Sequence, residues 1–269
     1  MANYRPITEL SFLSKIIERV VLKQLDTHMS LHNLHCDQQF GYKKNHSTEL
    51  LLLNMMDDVF KACDNSMGVV VIQIDLSSAF DTVDHDKLIF ILENDMHVTG
   101  TALKWFKSFL YNRSQSVKIM EAISDVLPVS YGVPQGSVLG PFLYNIYDHG
   151  LNNVFQKSRF SNNGYADDNY GSKWFSSFFQ YETLIIDVPN CISNINEYMN
   201  DHFLKLNETK TSAIIFGSKL FLKKISLNGT ILHTGEVIMF KNSIKHLGFL
   251  LDKSLEFELQ INQVFQVVI

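Results

Sequence analysis

The stretch that decides the fold is Gly68-Val69-Val70-Val71-Ile72-Gln73-Ile74-Asp75. It is rich in β-branched residues and begins with a glycine, a composition typical of a strand buried on both faces. Its last residue, Asp75, is acidic. The stretch therefore predicts a central strand that ends in a carboxylate.

A second acidic segment lies far downstream, at Tyr165-Ala166-Asp167-Asp168. Adjacent carboxylates repel each other unless a cation lies between them, and a third carboxylate from Asp75 strengthens that requirement. Oxygen ligands suit a pair of Mg²⁺ ions, and two such ions acting on a phosphate substrate describe nucleotidyl transfer. An Asp-Asp pair alone is also typical of a solvated loop or a helix cap. The remaining sequence must decide between these two interpretations.

Composition predicts a globular protein. The chain has 269 residues, of which 46% are hydrophobic and 12% aromatic, enough for one or two domains with a sizeable core. Its cysteines, Cys36, Cys63 and Cys191, lie far apart, which argues against a zinc site or a disulfide framework and favours a reducing compartment. No apolar run approaches the roughly 18 residues that span a bilayer. We expect a soluble intracellular protein of the nucleus or cytoplasm, without a membrane partner.

Charge gives a mixed indication. A net charge of -5 counts against a nucleic-acid partner, because phosphate binding normally requires a basic surface. Basic residues nevertheless form local groups, which are either solvated faces or nucleic-acid patches. The groups are Lys15, Arg19 and Lys23; Lys43 and Lys44; Lys104, Lys107, Arg113 and Lys118; and Lys219, Lys223 and Lys224.

Helices and strands alternate along the predicted chain, which indicates an α/β or α+β class. Apolar periodicity predicts a helix over residues 10–29 that faces a core through its apolar side, and a helix over 50–60 with Ser47 or Thr48 as N-cap. Further helices are predicted over 86–97, 101–110, 142–147 and 188–202.

Strands are predicted over 116–120, 212–216 and 246–251. Asn228-Gly229, between residues 225–227 and 230–232, predicts a hairpin. Residues 130–141 hold three glycines and two prolines, so they predict a loop of defined shape.

The order of these segments closely resembles the reverse transcriptases of non-LTR retrotransposons of the jockey or LINE-like kind. The resemblance covers nearly the whole chain. The matching segments are Asn3-Tyr4-Arg5-Pro6-Ile7, Leu13-Ser14-Lys15, Gln39-Phe40-Gly41-Tyr42, His46-Ser47-Thr48-Glu49, the strand ending at Asp75, the loop from Gly132 to Pro141, Tyr165-Ala166-Asp167-Asp168, Leu206-Asn207-Glu208-Thr209-Lys210-Thr211, and Leu247-Gly248.

The resemblance implies a right-hand polymerase fold. We expect an α+β reverse transcriptase domain over 1–269, with a ferredoxin-like antiparallel palm sheet backed by helices. The fingers would comprise about 1–67 and 83–128, and the palm, including the primer grip, about 68–82 and 129–250. Residues 251–269 would be only the start of a thumb.

The resemblance also implies a catalytic set. Asp75 and Asp167 would bind two Mg²⁺ ions, which Mn²⁺ can replace, and Asp168 would be a supporting ligand. Lys210 would protonate the leaving pyrophosphate as a general acid. Asp81, Asp84 and His85 accompany the first motif and are not expected to bind metal.

Further residues match positions that bind substrates. Lys43 and Lys44 match basic residues that contact the triphosphate, and Leu247 and Gly248 match the primer-grip turn. Gln135 and Gly136 match a loop against the incoming nucleotide and template, although Pro134-Gln135-Gly136 is also compatible with a simple tight turn. Phe80 matches the steric gate that excludes a 2′-hydroxyl, but an aromatic residue next to a strand is often plain core.

The implied activity is RNA-directed DNA synthesis, which uses an RNA template, a DNA primer and dNTPs. Ser161-Asn162-Asn163-Gly164 stands where the family usually has an apolar strand, and polar residues and glycine predict a weaker strand there. Tyr147-Asp148-His149-Gly150 is a second departure from the family pattern.

Family elements carry an endonuclease upstream and a complete thumb downstream, so the chain is expected to be a fragment of a longer element. The alternative function is an inactive remnant that binds nucleic acid. A palm-fold nucleotidyl cyclase or a group II intron maturase is a less favoured interpretation.

Overall fold

The computed structural model describes residues 7–176, 178–207, 210–225, 230–233 and 236–268. The helices in these ranges are α1 Phe12–Leu31, α2 Thr48–Asp64, α3 His85–Asn94, α4 Gly100–Leu110, α5 Gly140–Tyr147, α6 Leu151–Lys157, α7 Phe178–Asp201, α8 Lys219–Lys224 and α9 Glu258–Val268. The strands are β1 Gly68–Ile74, β2 Leu76–Ser77, β3 Arg113–Gln115, β4 Lys118–Ile119, β5 Ala122–Ile123, β6 Leu127–Val129, β7 Ser161–Tyr165, β8 Asp168–Phe175, β9 Lys205–Leu206, β10 Ser212–Phe216, β11 Thr230–His233, β12 Glu236–Lys241, β13 Ser243–His246 and β14 Phe249–Asp252. The predicted α+β class is confirmed.

The chain forms two compact units. The helical unit comprises Met1–Cys36, Ser78–His149 and Asp201–Leu204, and the sheet unit comprises Asp37–Ser77, Gly150–Asn200 and Lys205–Ile269. Each unit is therefore built from segments that are separated in sequence.

The sheet unit contains a six-stranded sheet in the order β11-β12-β10-β1-β8-β7. Strand β1 is antiparallel to both β10 and β8, β7 is antiparallel to β8, and β12 is parallel to β10. The order β10-β1-β8-β7, with helix α7 between β8 and β10, is the ferredoxin-like arrangement. The predicted strand over 68–75 is confirmed as the central strand of the sheet.

Helix α2 covers one face of this sheet. Its N-cap is Ser47, whose hydroxyl accepts a hydrogen bond from Leu50 N at 3.2 Å. The buried side of α2 packs against alternate residues of the strands, because successive strand side chains point to opposite faces. The core members from the helix and the strands are Leu51, Met55, Val59, Val69, Val71, Tyr170, Ile214 and Phe216.

Strand β7 forms although its residues are polar. Gly164 pairs with Asn169 on β8, and a Cβ atom built at Gly164 would lie 2.0 Å from Asn169 Oδ1. The glycine therefore leaves the space that the Asn169 side chain occupies. Asn162 is buried, and its Oδ1 has no hydrogen-bond partner. Close pairing of two backbones, rather than an apolar strand face, accounts for this part of the sheet.

The predicted orientation of the first helix is wrong. Helix α1 forms as expected and buries Leu25, but most of the other apolar residues on its predicted core side are exposed, by 71% at Leu13 and 54% at Val20. Glu18 is 1% exposed instead, because its carboxylate accepts hydrogen bonds from residues 137–139. Those bonds fix which side of the helix faces the unit.

Two C-terminal strand predictions also change. The strand predicted over 246–251 is two strands, β13 and β14, separated by Leu247 and Gly248. The strand at Thr230–His233 forms and pairs with β12 downstream, while residues 226 and 227 of the predicted hairpin lie outside the described residues. The predicted turn Asn228-Gly229 lies outside the described residues, as do Glu208, Thr209 and residues 1–6, which include all of the first matching segment except Ile7.

Helix α7 is longer than the predicted 188–202. It begins at Phe178 and contains Pro189 in its interior, where a proline removes one backbone hydrogen bond. Burial of Leu184, Val188 and Ile192 along one side offsets that loss. Across the described ranges of the chain, no helix is long and apolar enough to cross a membrane.

Candidate active site

The three acidic residues singled out in the sequence lie at one edge of the sheet. Ile74 pairs with Asn169, and Tyr165 pairs with Asp168. The same antiparallel register places Asp75 opposite Asp168 at the ends of neighbouring strands, and Asp167 lies in the two-residue turn between β7 and β8. The fold brings together residues that are separated by about ninety positions in the chain.

Asp75 has a buried carboxylate oxygen. Its Oδ2 has no hydrogen-bond donor, and Lys210 Nζ lies 3.6 Å away, beyond hydrogen-bond distance. The backbone oxygen of Asp75 accepts a hydrogen bond from Asn207 N at 2.8 Å. A buried carboxylate oxygen without a donor is costly unless a cation approaches it, so Asp75 is suited to bind one.

Lys210 reaches Asp75 through a short hydrogen-bonded turn. Asn207 O accepts bonds from Lys210 N at 3.2 Å, from Thr211 N at 2.8 Å and from Thr211 Oγ1 at 2.9 Å. This turn follows strand β9, which pairs with β2 immediately after Asp75. The Lys210 side chain is 68% exposed, so its ammonium group also faces solvent.

The turn that carries Asp167 is packed against residues 39–42. Gln39 forms hydrogen bonds to the backbone N and O of Ala166, at 2.8 Å and 3.1 Å. The ring centroids of Tyr42 and Tyr165 lie 6.5 Å apart. Burial raises the pKa of Tyr42, and the negative charge of Asp167 raises it further. Residues 39–42 therefore contact both residues that precede Asp167.

The two lysines predicted to contact a triphosphate follow this segment. Lys43 Nζ lies 3.5 Å from Asp37 Oδ1, and Lys44 is exposed. They come directly after Gly41 and Tyr42, and a Cβ atom at Gly41 would lie 2.3 Å from Ala166 N. Both lysines therefore follow, within three residues, a glycine whose backbone contacts the acidic turn.

A divalent cation fits the donors at this edge of the sheet. The carboxylates of Asp75, Asp167 and Asp168 are the hard oxygen ligands that Mg²⁺ prefers, and Oδ2 of Asp75 accepts no hydrogen bond although Lys210 Nζ lies 3.6 Å away. Within the ranges that the structure describes, however, no group of three or more His, Cys, Asp or Glu side chains is already arranged to hold a metal ion.

Phe80 belongs to the helical unit. Its ring stacks on Tyr144 of α5, with centroids 4.6 Å apart and an interplanar angle of 27°, and it is partly exposed. Its backbone oxygen accepts a hydrogen bond from Val133 N at 2.9 Å. The ring is therefore held in place and still presents some of its surface to solvent.

The loop that holds Gln135 and Gly136 has the defined shape predicted for it. Gln135 Nε2 donates to Asp81 Oδ1 at 2.7 Å, and His85 Nε2 bonds with Gly132 O at 2.8 Å. Gly136 has a φ of 102°, which only glycine adopts readily. Asp84 accepts from Lys87 N at 2.8 Å as the N-cap of α3. The loop therefore rests on the residues that follow the first acidic motif.

Glu18 fixes the far end of the same loop. Its Oε2 accepts hydrogen bonds from Val138 N at 2.8 Å and Leu139 N at 3.1 Å, and also from the Ser137 hydroxyl at 2.5 Å. Its Oε1 accepts from Ser14 Oγ at 3.1 Å. A buried carboxylate with four donors holds the loop rigidly. Sequence reasoning did not identify this role, since Glu18 has no motif around it.

Leu247 and Gly248 form the two-residue turn of the β13–β14 hairpin. Their φ angles are 49° and 86°, the left-handed values that a tight hairpin turn requires. Gln73 Nε2 donates to Lys245 O at 2.9 Å, and His246 packs edge-on against Tyr170 at 5.3 Å. These contacts connect the hairpin to strands β1 and β8.

Comparison with known proteins identifies the family. A model described as "Reverse transcriptase (RNA-dependent DNA polymerase)" matches residues 1–251. This chain belongs to the reverse transcriptase family. The predicted resemblance to non-LTR elements is confirmed by its relatives from Drosophila melanogaster, all named as RNA-directed DNA polymerases, from the transposons X-element and BS and from the mobile element jockey.

The reverse transcriptase relatives are similar over nearly all of this chain. The BS protein is 30% identical over 95% of the chain, the X-element protein 27% over 98%, and the jockey protein 26% over 98%. The chain spans about 28% of the length of each of these relatives.

Solved telomerases share the fold of this reverse transcriptase chain. Apo telomerase from Candida tropicalis, truncated from its C-terminal domain, matches 89% of this chain and 44% of its own with a TM-score of 0.59 and 15% identity. Telomerase from Candida albicans in complex with a TWJ fragment of telomeric RNA matches 90% and 38%, with a TM-score of 0.56 and 14% identity. Both confirm the fold class.

Proposed function

We propose that this chain is the core of an RNA-directed DNA polymerase that extends a DNA primer on an RNA template by adding dNTPs. The observation that carries the proposal is the strand register that brings Asp75 next to Asp168, the first residue of β8, and to the turn that holds Asp167. Its membership of the reverse transcriptase family supports the same activity. Because the substrates are nucleic acid and nucleoside triphosphates, the proposed setting is inside the cell, in the nucleus or cytoplasm.

The acidic residues have distinct proposed roles. Asp75 and Asp167 would hold two Mg²⁺ ions, with Asp168 as a supporting ligand, and Mn²⁺ could take their place. Bound there, the ions would lower the pKa of the primer 3′-hydroxyl and stabilise charge on the triphosphate. The unpartnered Oδ2 of Asp75 supports its assignment as a ligand.

Lys210 is the proposed proton donor to the pyrophosphate leaving group. An ammonium group 3.6 Å from Asp75 is close enough to serve the same reacting phosphates, and its exposure allows proton exchange with water. The turn built on Asn207 holds the lysine backbone at this position.

The remaining substrate contacts are proposed from the family match. Lys43 and Lys44 would bind the triphosphate, Phe80 would exclude a 2′-hydroxyl, and Gln135 with Gly136 would lie against the nucleotide and template. Leu247 and Gly248 would present the primer end. The fixed ring of Phe80 supports a steric role, because a gate must not rotate away.

The domain limits also remain a proposal. We assign about 1–67 and 83–128 to the fingers, 68–82 and 129–250 to the palm with its primer grip, and 251–269 to the start of a thumb. The six-stranded sheet lies within the proposed palm, which supports its assignment.

A primer-extension assay tests the activity. Poly(rA)/oligo(dT) with dTTP and Mg²⁺ should be extended by the wild type and not by Asp167→Asn, which removes a metal-binding charge. Asp187→Asn is a matched control, since Asp187 pairs with Lys173 away from the acidic turn. Activity that survives Asp167→Asn would contradict the metal assignment.

Nucleic-acid binding without catalysis is the second candidate. It is favoured by one observation, that the described part of the chain contains no preformed group of three or more metal-binding side chains. Binding of a labelled RNA/DNA hybrid without incorporation of dTTP, in Mg²⁺ and in Mn²⁺, would select this candidate over the polymerase.

A further inference from the structure

The side chain of Gln39 replaces a strand as the hydrogen-bond partner of the acidic turn. Its Oε1 accepts from Ala166 N at 2.8 Å, and its Nε2 donates to Ala166 O at 3.1 Å. The same Oε1 also accepts from Gly41 N at 2.8 Å. Because two N–H groups face the amide oxygen and a carbonyl faces the amide nitrogen, only this amide orientation satisfies all the partners.

Ala166 needs such a partner because its backbone is strained. Its φ is 56°, in the left-handed region that an alanine rarely adopts, and the residue is 5% exposed. Buried backbone groups that lack partners are costly. Gln39 supplies the bond to Ala166 N and the shorter bond to Ala166 O, which also accepts from Asn169 Nδ2 at 3.5 Å. Loss of the glutamine amide therefore favours a different backbone conformation at Ala166.

Asp167 and Asp168 follow Ala166 directly. The backbone conformation of Ala166 therefore sets the orientation of both aspartate side chains. A rotation of the turn would move Asp167 relative to Asp75 on the neighbouring strand. Metal-binding carboxylates depend on such outer partners, whose removal typically costs 10- to 100-fold in metal affinity or activity.

Gln39 is itself fixed by backbone contacts on both sides. Gly164 N donates to Gln38 O at 2.9 Å, and Phe40 N donates to Gly164 O at 2.8 Å, so residues 38–40 pair with β7. A Cβ atom at Gly41 would lie 2.3 Å from Ala166 N, so the glycine permits the close contact of the two backbones. The glutamine amide therefore has little freedom to leave the turn.

We infer that Gln39 is a positioning residue for the metal-binding turn, and that it acts by holding Ala166 in its left-handed conformation. The inference rests on the proposed function, since it concerns the carboxylates to which that function assigns the metal ions. Gln39 touches neither substrate nor metal in this role, and its effect passes through the Ala166 backbone.

The test compares Gln39→Met with Gln156→Met. Methionine keeps the length of the side chain but has no amide, and Gln156 is an exposed residue of α6 in the same unit. Three quantities are measured for each variant: Mn²⁺ affinity from the electron paramagnetic resonance signal of free Mn²⁺, kcat and KM in primer extension, and the thermal midpoint.

Gln39→Met should weaken Mn²⁺ binding and lower kcat, each by roughly 10- to 100-fold, with KM for the primer–template unchanged. Gln156→Met should match the wild type in both. Adding Ala166→Gly to Gln39→Met should restore part of the Mn²⁺ affinity, because glycine adopts a positive φ without strain. A purely structural role predicts instead a lower thermal midpoint with normal Mn²⁺ affinity and kcat in the folded protein.

Different results contradict the two proposals. If the wild type extends primers and Gln39→Met matches Gln156→Met in Mn²⁺ affinity and kcat, the positioning role is wrong and the proposed function stands. If the wild type extends no primer, the proposed function is wrong, and Mn²⁺ affinity alone decides the inference. Weaker Mn²⁺ binding in Gln39→Met than in the wild type then supports the positioning role. Equal Mn²⁺ affinity in these two proteins, or no binding in either, contradicts it.

Discussion

At the scale of single residues, His246 shows how a buried polar group makes the proposed primer-grip hairpin sensitive to pH. Its ring is fully buried against Tyr170, and its Nε2 has no hydrogen-bond partner. Burial lowers its pKa from 6.5 to about 4. The folded protein therefore requires the neutral ring.

This pKa predicts a loss of stability in weak acid. Between pH 6.5 and about 4 the unfolded chain binds a proton that the folded chain does not, so the contribution is complete above pH 6.5 and falls as the pH drops toward 4. From pH 7 to pH 4.5 the free energy of unfolding should fall by about 2 to 3 kcal/mol through His246 alone.

Urea denaturation of His246→Gln at the two pH values measures this contribution. The variant should lose that part of the pH dependence, whereas His32→Gln, at an exposed position that follows α1, should keep it. An equal pH dependence in His246→Gln and the wild type would contradict the prediction.

The acidic residues could be singled out from the sequence because they stand in an ordered series of motifs. An Asp-Asp pair alone is also typical of a solvated loop, so the proposed metal-binding role of Asp75, Asp167 and Asp168 rested on the family resemblance and stays a prediction. The roles of Gln39 and Glu18 could not be predicted, because their partners lie 127 and about 120 positions away and only the fold brings them together. Gln39 belonged to a segment matching the family, which was the one available indication.

At the scale of elements, the β7–β8 pair depends on a glycine that opposes a larger side chain. Gly164→Ala would bring a methyl group to 2.0 Å from Asn169 Oδ1, so the strands must shift. We expect the free energy of unfolding to fall by about 1 to 3 kcal/mol, the usual cost of overpacking. Chemical denaturation with urea measures the change.

Two further variants separate the collision from a general effect of alanine in the strand. Ser161→Ala, at an exposed position of β7, should change stability by less than about 0.5 kcal/mol. Asn169→Ala should reduce the cost of Gly164→Ala, since it removes the atom in collision. Additive effects of the two substitutions would show that the strain lies elsewhere.

The elements were predictable mainly where local pattern and tertiary packing agree. The strand at β1 and the N-cap at Ser47 followed directly from sequence. The orientation of α1 did not, because Glu18 accepts hydrogen bonds from a loop about 120 residues away and is buried with Leu25, while Leu13 and Val20 are exposed. Strand β7 was underestimated because its partner, Asn169, uses the space at Gly164.

At the scale of the whole molecule, the proposed nucleic-acid partner must bind an acidic protein. The net charge is -5, so binding depends on local basic groups such as Lys104 and Lys107 on helix α4. Counterion release from a phosphate backbone makes the logarithm of the association constant fall linearly with the logarithm of salt concentration. We expect the affinity for an RNA/DNA hybrid to fall with salt concentration in this way, although the net charge of the protein is negative.

Fluorescence anisotropy of a labelled hybrid across a salt series tests that expectation. Lys107→Gln should reduce the slope by about 1, the value for one phosphate contact. Lys61→Gln serves as control, because Lys61 already pairs with Asp57 on α2. Equal slopes in the two variants would show that Lys107 on helix α4 does not contact the nucleic acid.

Residues 38–40 also affect the tendency of the protein to aggregate. Strand β7 is the last strand of its sheet, and such a strand offers backbone groups to any other chain in an extended conformation. Gln38 O and Phe40 N occupy both backbone groups of Gly164, the fourth of the five residues of β7. The segment that fixes the acidic turn thereby also blocks edge-to-edge association, and a protein that loses it would be prone to aggregate through β7.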